Sequence, residues 1–260
     1  MSGENRGILY PARLPDLQRL AAPDSVAELV RWFWIPEWDI APGRTSRQHL
    51  VSFPASNLVV QPDLVMLSGP QTRASHRDLT GRGWAVGALL RPAATPSFTE
   101  APADLRDTVR PFDAPELQEA VVAAMTVADR DERHAAAVDA FSTWLDKNFQ
   151  PATDQGRQAN DLADLLDGDA TVRTLDDAAA RLHLAPRTVQ RLATRYVGLS
   201  PVEMIRRRRL QEAAQRVRTE PGVSLAGIAT ELGYADHGHL TREFRERLGF
   251  TPSGYRAEAD

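Results

Sequence analysis

Arg187, Thr188, Gln190, Arg191 and Arg195 lie within nine residues of one another. An arginine guanidinium can donate two parallel hydrogen bonds to O6 and N7 of a guanine, and a glutamine amide can pair in the same way with N6 and N7 of an adenine. Further on, His237, His239, Thr241, Arg242 and Arg245 form a second set of similar character. The chemistry these side chains offer is the reading of base edges on a duplex, together with neutralisation of phosphates. Arg191 also admits a structural role, because Arg242 occupies the same place in the second set. His237 and His239 could suggest a metal, but residues two apart do not share a helix face and no third ligand lies near. Groove contact or plain exposure remains for them.

The two sets are copies of one device. Overlaid at an offset of 51, Val189 falls on Leu240, Arg191 on Arg242, Gly198 on Gly249 and Pro201 on Pro252. In the first copy Thr174 can N-cap a helix that packs through Leu175, Ala178, Ala179 and Leu182. The pattern breaks at 183–185, and Pro186 restarts a helix whose inner side is Val189, Leu192 and Ala193. The second copy has a Ser224 cap, then Leu225, Ile228, Ala229 and Leu232, a turn at Gly233, and Leu240, Phe244 and Leu248. This is helix–turn–helix spacing twice over, and the second turn is one residue longer.

Between the copies, Ser200 caps and Pro201 starts a helix with the apolar stripe Ile205, Leu210, Ala213, Ala214 and Val217, ending at Pro221-Gly222. At about 1.5 Å per residue it is a rod of roughly 28 Å. Successive major grooves on one face of a duplex are ~34 Å apart. Such a rod places two reading heads on one chain, where other helix–turn–helix proteins obtain a pair by dimerising. The run Arg206–Arg209 spreads around the whole helix, so at most one or two of these arginines can face a duplex.

"IATELGYADHGHLTREFRERLGFTPSGYR" resembles the second half of the AraC/XylS-type DNA-binding domain, and the first copy with the connecting helix resembles its first half. The resemblance runs from about 171 to 256. It implies a seven-helix domain and a bacterial transcription regulator with double-stranded operator DNA as partner and RNA polymerase as a further one. By family position Arg187, Gln190 and Arg191 are the base readers. Phe is common in the family where this chain has Ala193.

The first ~110 residues carry short apolar or alternating runs, "VRWFWI", "HLVSF", "NLVVQ", "LVMLSG" and "GWAVGALL", separated by Pro, Gly, Asn and Asp. Residues 1–112 are therefore expected as a small β-barrel, resembling the cupin-like sensor domains that precede this DNA-binding unit. Residues 113–150 carry two amphipathic helices, with Leu117, Val121, Val122 and Met125 on the first and Val138, Phe141, Trp144, Leu145 and Phe149 on the second. They are a candidate dimer interface, with covering the barrel as the alternative. Residues 151–170 read as a linker with a short acidic helix, and 171–260 as the all-α DNA-binding domain. The expected class is α+β in two domains.

For a small effector the pointed residues are Arg91, ending an apolar strand, and Trp32 and Trp34, which share a strand face with Phe33 on the other. Core packing is the competing role for both tryptophans. His49 and His76 stand on separate β-like segments without a carboxylate cluster, and no metal or other cofactor is expected.

Composition bounds the rest. The chain has 260 residues, 42% hydrophobic and 25% charged, with no cysteine. That excludes a disulfide scaffold, thiolate zinc sites and thiol catalysis. No phosphate-binding loop, dinucleotide fingerprint or serine elbow occurs, so no catalytic residue is expected. No apolar run approaches the ~20 residues of a membrane span. The start lacks the basic-then-apolar pattern of a signal peptide, and a cytoplasmic location is expected. The net charge is −4, yet 171–260 carries 15 Arg against 11 Asp or Glu, a basic part on an acidic chain. The reading is a DNA-binding regulator controlled by a small effector or by dimerisation. The rivals are a regulator whose front domain only dimerises, and an enzyme domain fused to a DNA-binding module.

Overall fold

The computed structural model describes residues 16–50, 53–73 and 75–259. The front part contains strands β1 (Asp16–Ala21), β2 (Val30–Asp39), β3 (Ser46–Leu50), β4 (Asn57–Gln61), β5 (Leu64–Ser68), β6 (Ser75–Leu79), β7 (Arg82–Trp84), β8 (Val86–Leu90) and β9 (Val109–Pro111). Seven form one antiparallel sheet in the order β1-β2-β8-β4-β5-β9, with β7 also beside β2, while β3 and β6 pair as a separate ribbon. The strands missing from the sequence reading, β1, β6 and β9, are polar or very short. The run expected at 49–53 is seen as Ser46–Leu50, and 51–52 lie outside the described residues.

The closed cupin-like barrel is not formed. Among the described residues β1 and β9 are the two edges of an open sheet. The three-residue β9 ends in Pro111, which has no N–H to offer, and leads directly to helix α1 (Pro115–Ala124). It cannot carry the ladder round to β1.

Alternation along β2 sends Phe33 and Ile35 to one side, where they are fully buried with Leu58, Val60, Leu67, Val86 and Ala88. Helices α1 and α2 (Arg130–Asn148) cover this side with Leu117, Val121, Met125, Val138, Phe141 and Leu145. Residues expected at a dimer interface thus pack on the chain's own sheet. The face of α2 that opposes the sheet also carries His134, whose Nδ1 meets Gln18 Oε1 at 2.5 Å and whose Nε2 meets Glu37 Oε1 at 2.8 Å. Arg133 joins the same carboxylate at 2.8 Å.

The stretch expected as a linker holds a 15-residue helix, α3 (Asp154–Gly168), capped by the Thr153 hydroxyl. Its Ala159, Leu162 and Leu166 are buried in the core of the first helix–turn–helix unit. The short acidic helix expected within this stretch is thus longer, and its acidic residues disguised an apolar side. Next come α4 (Leu175–Leu182), α5 (Pro186–Val197), α6 (Pro201–Thr219), α7 (Leu225–Glu231), α8 (His237–Leu248) and α9 (Pro252–Ala259). The seven helices implied by the resemblance are reached by counting from α3.

These helices form two cores, and α6 belongs to both. Its Met204 and Ile205 pack with α3, α4 and α5, whereas Leu210, Ala213, Ala214 and Val217 pack with α7, α8 and Tyr255 of α9. The rod is therefore held at each end by a different unit.

The front part is fastened to this assembly by polar contacts. Arg31 pairs with Asp167 at 2.6 Å and Arg91 pairs with Asp164, both carboxylates on α3. Asn160 of α3 accepts from Ala93 N at 2.9 Å and donates to Glu28 O at 2.9 Å. Thr95 donates to Tyr196 O at 2.6 Å, and Arg106 pairs with Glu203 at 2.5 Å.

Candidate nucleic-acid interface

Each unit is built by caps and turns legible in its residues. Thr174 and Asp177 form a capping box at the start of α4, accepting from each other's backbone N–H groups. The chain then turns at His183, which takes a left-handed φ of 54°, and Pro186 opens α5. Helix α5 ends at Gly198 with φ 77°, a conformation that favours glycine. The second unit repeats this with a Ser224 cap, Gly233 at φ 74° in the turn and Gly249 at φ 85° after α8. Helix α8 has an additional cap, Asp236 accepting from His239 N at 2.6 Å, a residue type that favours this position.

On α5 the inner side is Val189, Leu192, Ala193 and Tyr196, all buried. Arg187, Gln190, Arg191 and Arg195 are exposed, and Thr188 is half-buried at the flank. Thr194 is also exposed, three residues after Arg191 and four after Gln190, so helical spacing puts it among them. Sequence reading passed over it, although that spacing was sufficient to find it. The guanidinium carbon of Arg195 lies 5.8 Å from the centre of the Tyr196 ring.

On α8, Leu240, Phe244 and Leu248 are buried, leaving Gly238, Arg242 and Arg245 outward with Thr241 beside them. The two histidines separate. His237 Nε2 lies 3.4 Å from the Thr241 hydroxyl, whereas His239 meets the Tyr234 ring edge-on at 5.4 Å and approaches Glu243 at 4.0 Å. His239 thus rests against Tyr234 with its side chain about half exposed.

The four arginines of 206–209 divide as the helix requires. Arg206 is exposed, while Arg207 and Arg208 are buried. Arg208 donates to the carbonyls of Asp169 and Val172, and Arg209 lies 4.3 Å from the centre of the Tyr234 ring. Backbone carbonyls hold Arg208 and an aromatic ring meets Arg209, with the carboxylates of Asp169 and Glu243 acting on them as nearby charges.

Partners discriminate among the remaining arginines. Arg181 pairs with Asp169, Arg216 with Glu220 and Glu231, Arg173 with the Glu231 carbonyl, and Arg256 with those of Val217 and Val223. Among the described residues no ion pair or hydrogen bond engages the side chains of Arg187, Arg191, Arg242 or Arg245. Unpaired guanidinium groups on the outer faces of two matched helices form an electropositive surface of the kind a polyanion meets.

The front-domain candidates lie elsewhere. Arg91 meets a carboxylate of the chain itself, Asp164, across the joint between the two parts. Trp32 and Trp34 are on the sheet face away from α1 and α2. Trp32 meets Phe53 edge-on at 5.0 Å, with Arg31 and Arg19 at 4.8 and 5.2 Å from its ring centre. Trp34 donates from Nε1 to Asn57 Oδ1 at 3.1 Å and lies flat over Gly87, where a Cβ would fall 2.1 Å from the indole. His49 and His76 stand opposite one another in the β3–β6 register. Among the described residues no three His, Asp or Glu converge on a metal site, and no helix is long and apolar enough to cross a membrane.

Comparison with known proteins divides at the same joint. A family described as Helix-turn-helix domain matches residues 178–258, and one described as Domain of unknown function (DUF6597) matches residues 18–111. The chain is 42% identical over 79 residues to the HTH-type transcriptional regulator VirS of Mycobacterium tuberculosis, covering 30% of this chain and 23% of VirS. It is 33% identical over 92 residues to the HTH-type transcriptional activator AarP of Providencia stuartii, covering 35% of this chain and 67% of AarP. The match to VirS thus spans about a quarter of that protein's length. Among solved structures, apo ToxT from Vibrio cholerae superposes over 92% of this chain and 100% of its own, at 11% identity and a TM-score of 0.46.

Proposed function

This chain belongs to the AraC/XylS-type family of helix–turn–helix transcription regulators, and we propose that it regulates transcription by presenting α5 and α8 to successive major grooves of operator DNA. The observation that carries this reading is the set of arginines on those two helices without an ion pair or hydrogen bond among the described residues, whereas Arg173, Arg181, Arg216, Arg247 and Arg256 of the same half are engaged. Arg187, Gln190 and Arg191 read bases from the first unit, with Thr188 and Thr194 at their side. Arg242 and Arg245 serve the second unit with Thr241. There Gly238 leaves a gap in the side-chain surface, so this unit leans more on phosphates. His237 contacts the groove or backbone at the start of α8, and His239 acts mainly by holding that helix on Tyr234. Arg195 contacts phosphate at the flank.

The front domain controls this half without catalysing a reaction. Its contacts reach α3, α5, α6 and α8, so a small effector or a second subunit that moves it acts on both units at once. RNA polymerase is the partner through which a bound regulator alters transcription, and the cytoplasm is where it works. Arg91 favours the joint over an effector pocket, because its ion pair with Asp164 fastens the two parts. A homodimer contact must use surfaces other than the buried faces of α1 and α2.

The test is base preference. Arg187→Ala or Gln190→Ala should cost roughly 1–3 kcal/mol on a selected site and relax preference at particular base pairs. Equal weakening on selected and random DNA would remove both residues from the base-reading role.

A further inference from the structure

The two helix–turn–helix cores share α6, and among the described residues no other helix contributes to both. A rod of 19 residues sets how far apart its ends lie better than how they are turned, because long helices are seldom straight. Whatever else ties the two units together therefore bears on how α8 is aimed relative to α5.

The front domain supplies such a tie. Two of its segments, 69–72 and 105–108, are laced into one piece. Gly69 N donates to Thr108 O at 3.0 Å and Asp107 N to Pro70 O at 3.1 Å. The Asp107 carboxylate accepts from Thr72 N at 2.5 Å and from Thr72 Oγ1 at 2.7 Å. Asp107 does so at φ 56°, a left-handed conformation that Asp and Asn adopt more readily than other side-chain-bearing residues.

This piece touches both units. Just ahead of it, Pro102 O lies against Gly198 at the end of α5. Arg106 pairs at 2.5 Å with Glu203, whose carboxylate accepts from Ser200 N at 3.0 Å and so caps the start of α6. Thr72 O accepts from Arg247 Nη1 at 2.7 Å, in the last turn of α8. The end of the first recognition helix, the start of the rod and the end of the second recognition helix are thus tied to one short stretch of the front domain.

We propose that Asp107 and Arg247 are positioning residues for DNA recognition: by clasping Thr72 between them they fix α8 relative to α5, and with it the block spacing the chain accepts. The role rests on the reading of α5 and α8 as a pair set in successive grooves. One added base pair moves the second groove by about 3.4 Å and turns it by roughly 35°. A braced chain cannot follow that displacement, and a loosened one follows it in part.

The experiment uses the full chain in two arms. Asp107→Gly removes the carboxylate while keeping the left-handed backbone accessible, and Arg247→Met removes the donors while keeping the stem. Asp107→Asn retains an acceptor for Thr72 N and should behave as the parent does. Arg47→Gln, which breaks an exposed ion pair with Asp78 inside the front domain, is the control. In the first arm, affinity is measured on the two-block site selected from random DNA and on versions one base pair longer and shorter. The parent and the control should lose roughly tenfold or more off the selected spacing, and Asp107→Gly and Arg247→Met less than about threefold. A part played only in stability would lower affinity equally at every spacing. The second arm needs no DNA. The chain has no cysteine, so spin labels at Thr194→Cys on α5 and Glu246→Cys on α8 report the distance between the two helices alone. Its distribution should broaden in Asp107→Gly and Arg247→Met and stay narrow in the control. Absence of any two-block site would strike the groove reading, while the label distances still decide whether the brace exists. Distributions unchanged in both variants, or equal losses of affinity at all spacings, overturn the proposal.

Discussion

Gly198 tests whether the front domain is docked on the first unit as described. It ends α5 with φ 77°, and a Cβ built there would lie 2.4 Å from the carbonyl oxygen of Pro102 and 2.8 Å from the amide nitrogen of Ala103. Gly198→Ala therefore carries two costs. The left-handed backbone costs a side-chain-bearing residue about 1–2 kcal/mol. The contact adds overpacking of about 1–3 kcal/mol, since the opposing atoms are backbone and cannot rotate away. Gly43→Ala isolates the first cost, because Gly43 has φ 79° and nothing within 4 Å of its built Cβ. Unfolding in urea should show Gly198→Ala losing roughly twice as much as Gly43→Ala or more. The extra loss should appear as a loosened joint, with proteolysis increasing between the domains around residues 149–153 in Gly198→Ala alone. Equal stability loss and equal proteolysis in the two variants would refute the reasoning, for then no backbone opposes Gly198.

Ala214 is buried within α6, so Ala214→Pro should break the rod by removing an internal hydrogen bond and clashing one turn back, at about 3 kcal/mol or more. Gel-shift affinity for a two-block site should fall far more than for Ala214→Ser. Leu145 is fully buried on α2 whereas Val122 of α1 is half-exposed, so Leu145→Arg should unfold the front domain and Val122→Glu should leave it folded, as circular dichroism will record. Acid should open the joint. Burial works to raise Asp107 and Glu203, yet hydrogen bonds from Thr72 and Ser200, together with Arg106, hold them below their ordinary 3.8 and 4.5. Their contribution is complete above those values and lost as pH falls through the lowered ones. Scattering or proteolysis should therefore register domain separation below about pH 4, with no change between pH 6 and 8 from these groups.

The DNA-binding half was legible because its signals are local. Thr174, Ser200, Ser224, Pro186, Pro201, Gly198 and Gly249 each dictate a cap, a start or a turn within a few residues, and the duplicate checks every assignment. The front half depends on pairing between distant strands, and sequence alternation does not say which strands meet. Runs such as "NLVVQ" were found, but the polar β6 and three-residue β9 were not, and closure could not be judged without them. Helix α3 was read only as a short acidic helix within a linker, because Asp161, Asp164 and Asp167 dominate its composition. Two of those acids, with Asn160, turn out to be the fastening points for Arg91, Arg31 and Ala93, contacts that span scores of residues and leave no local trace.

The central claim is that one chain reads two grooves with α5 and α8. Selection of binding sites from random double-stranded DNA by the purified protein addresses it most directly. The account predicts enriched sequences with two blocks of preference whose centres lie about 10–10.5 base pairs apart, one turn of the duplex. It further predicts that Arg191→Ala erases preference in one block and Arg242→Ala weakens contacts at the other. Enrichment of a single block, or of none, or loss of the same block in both variants, would contradict it.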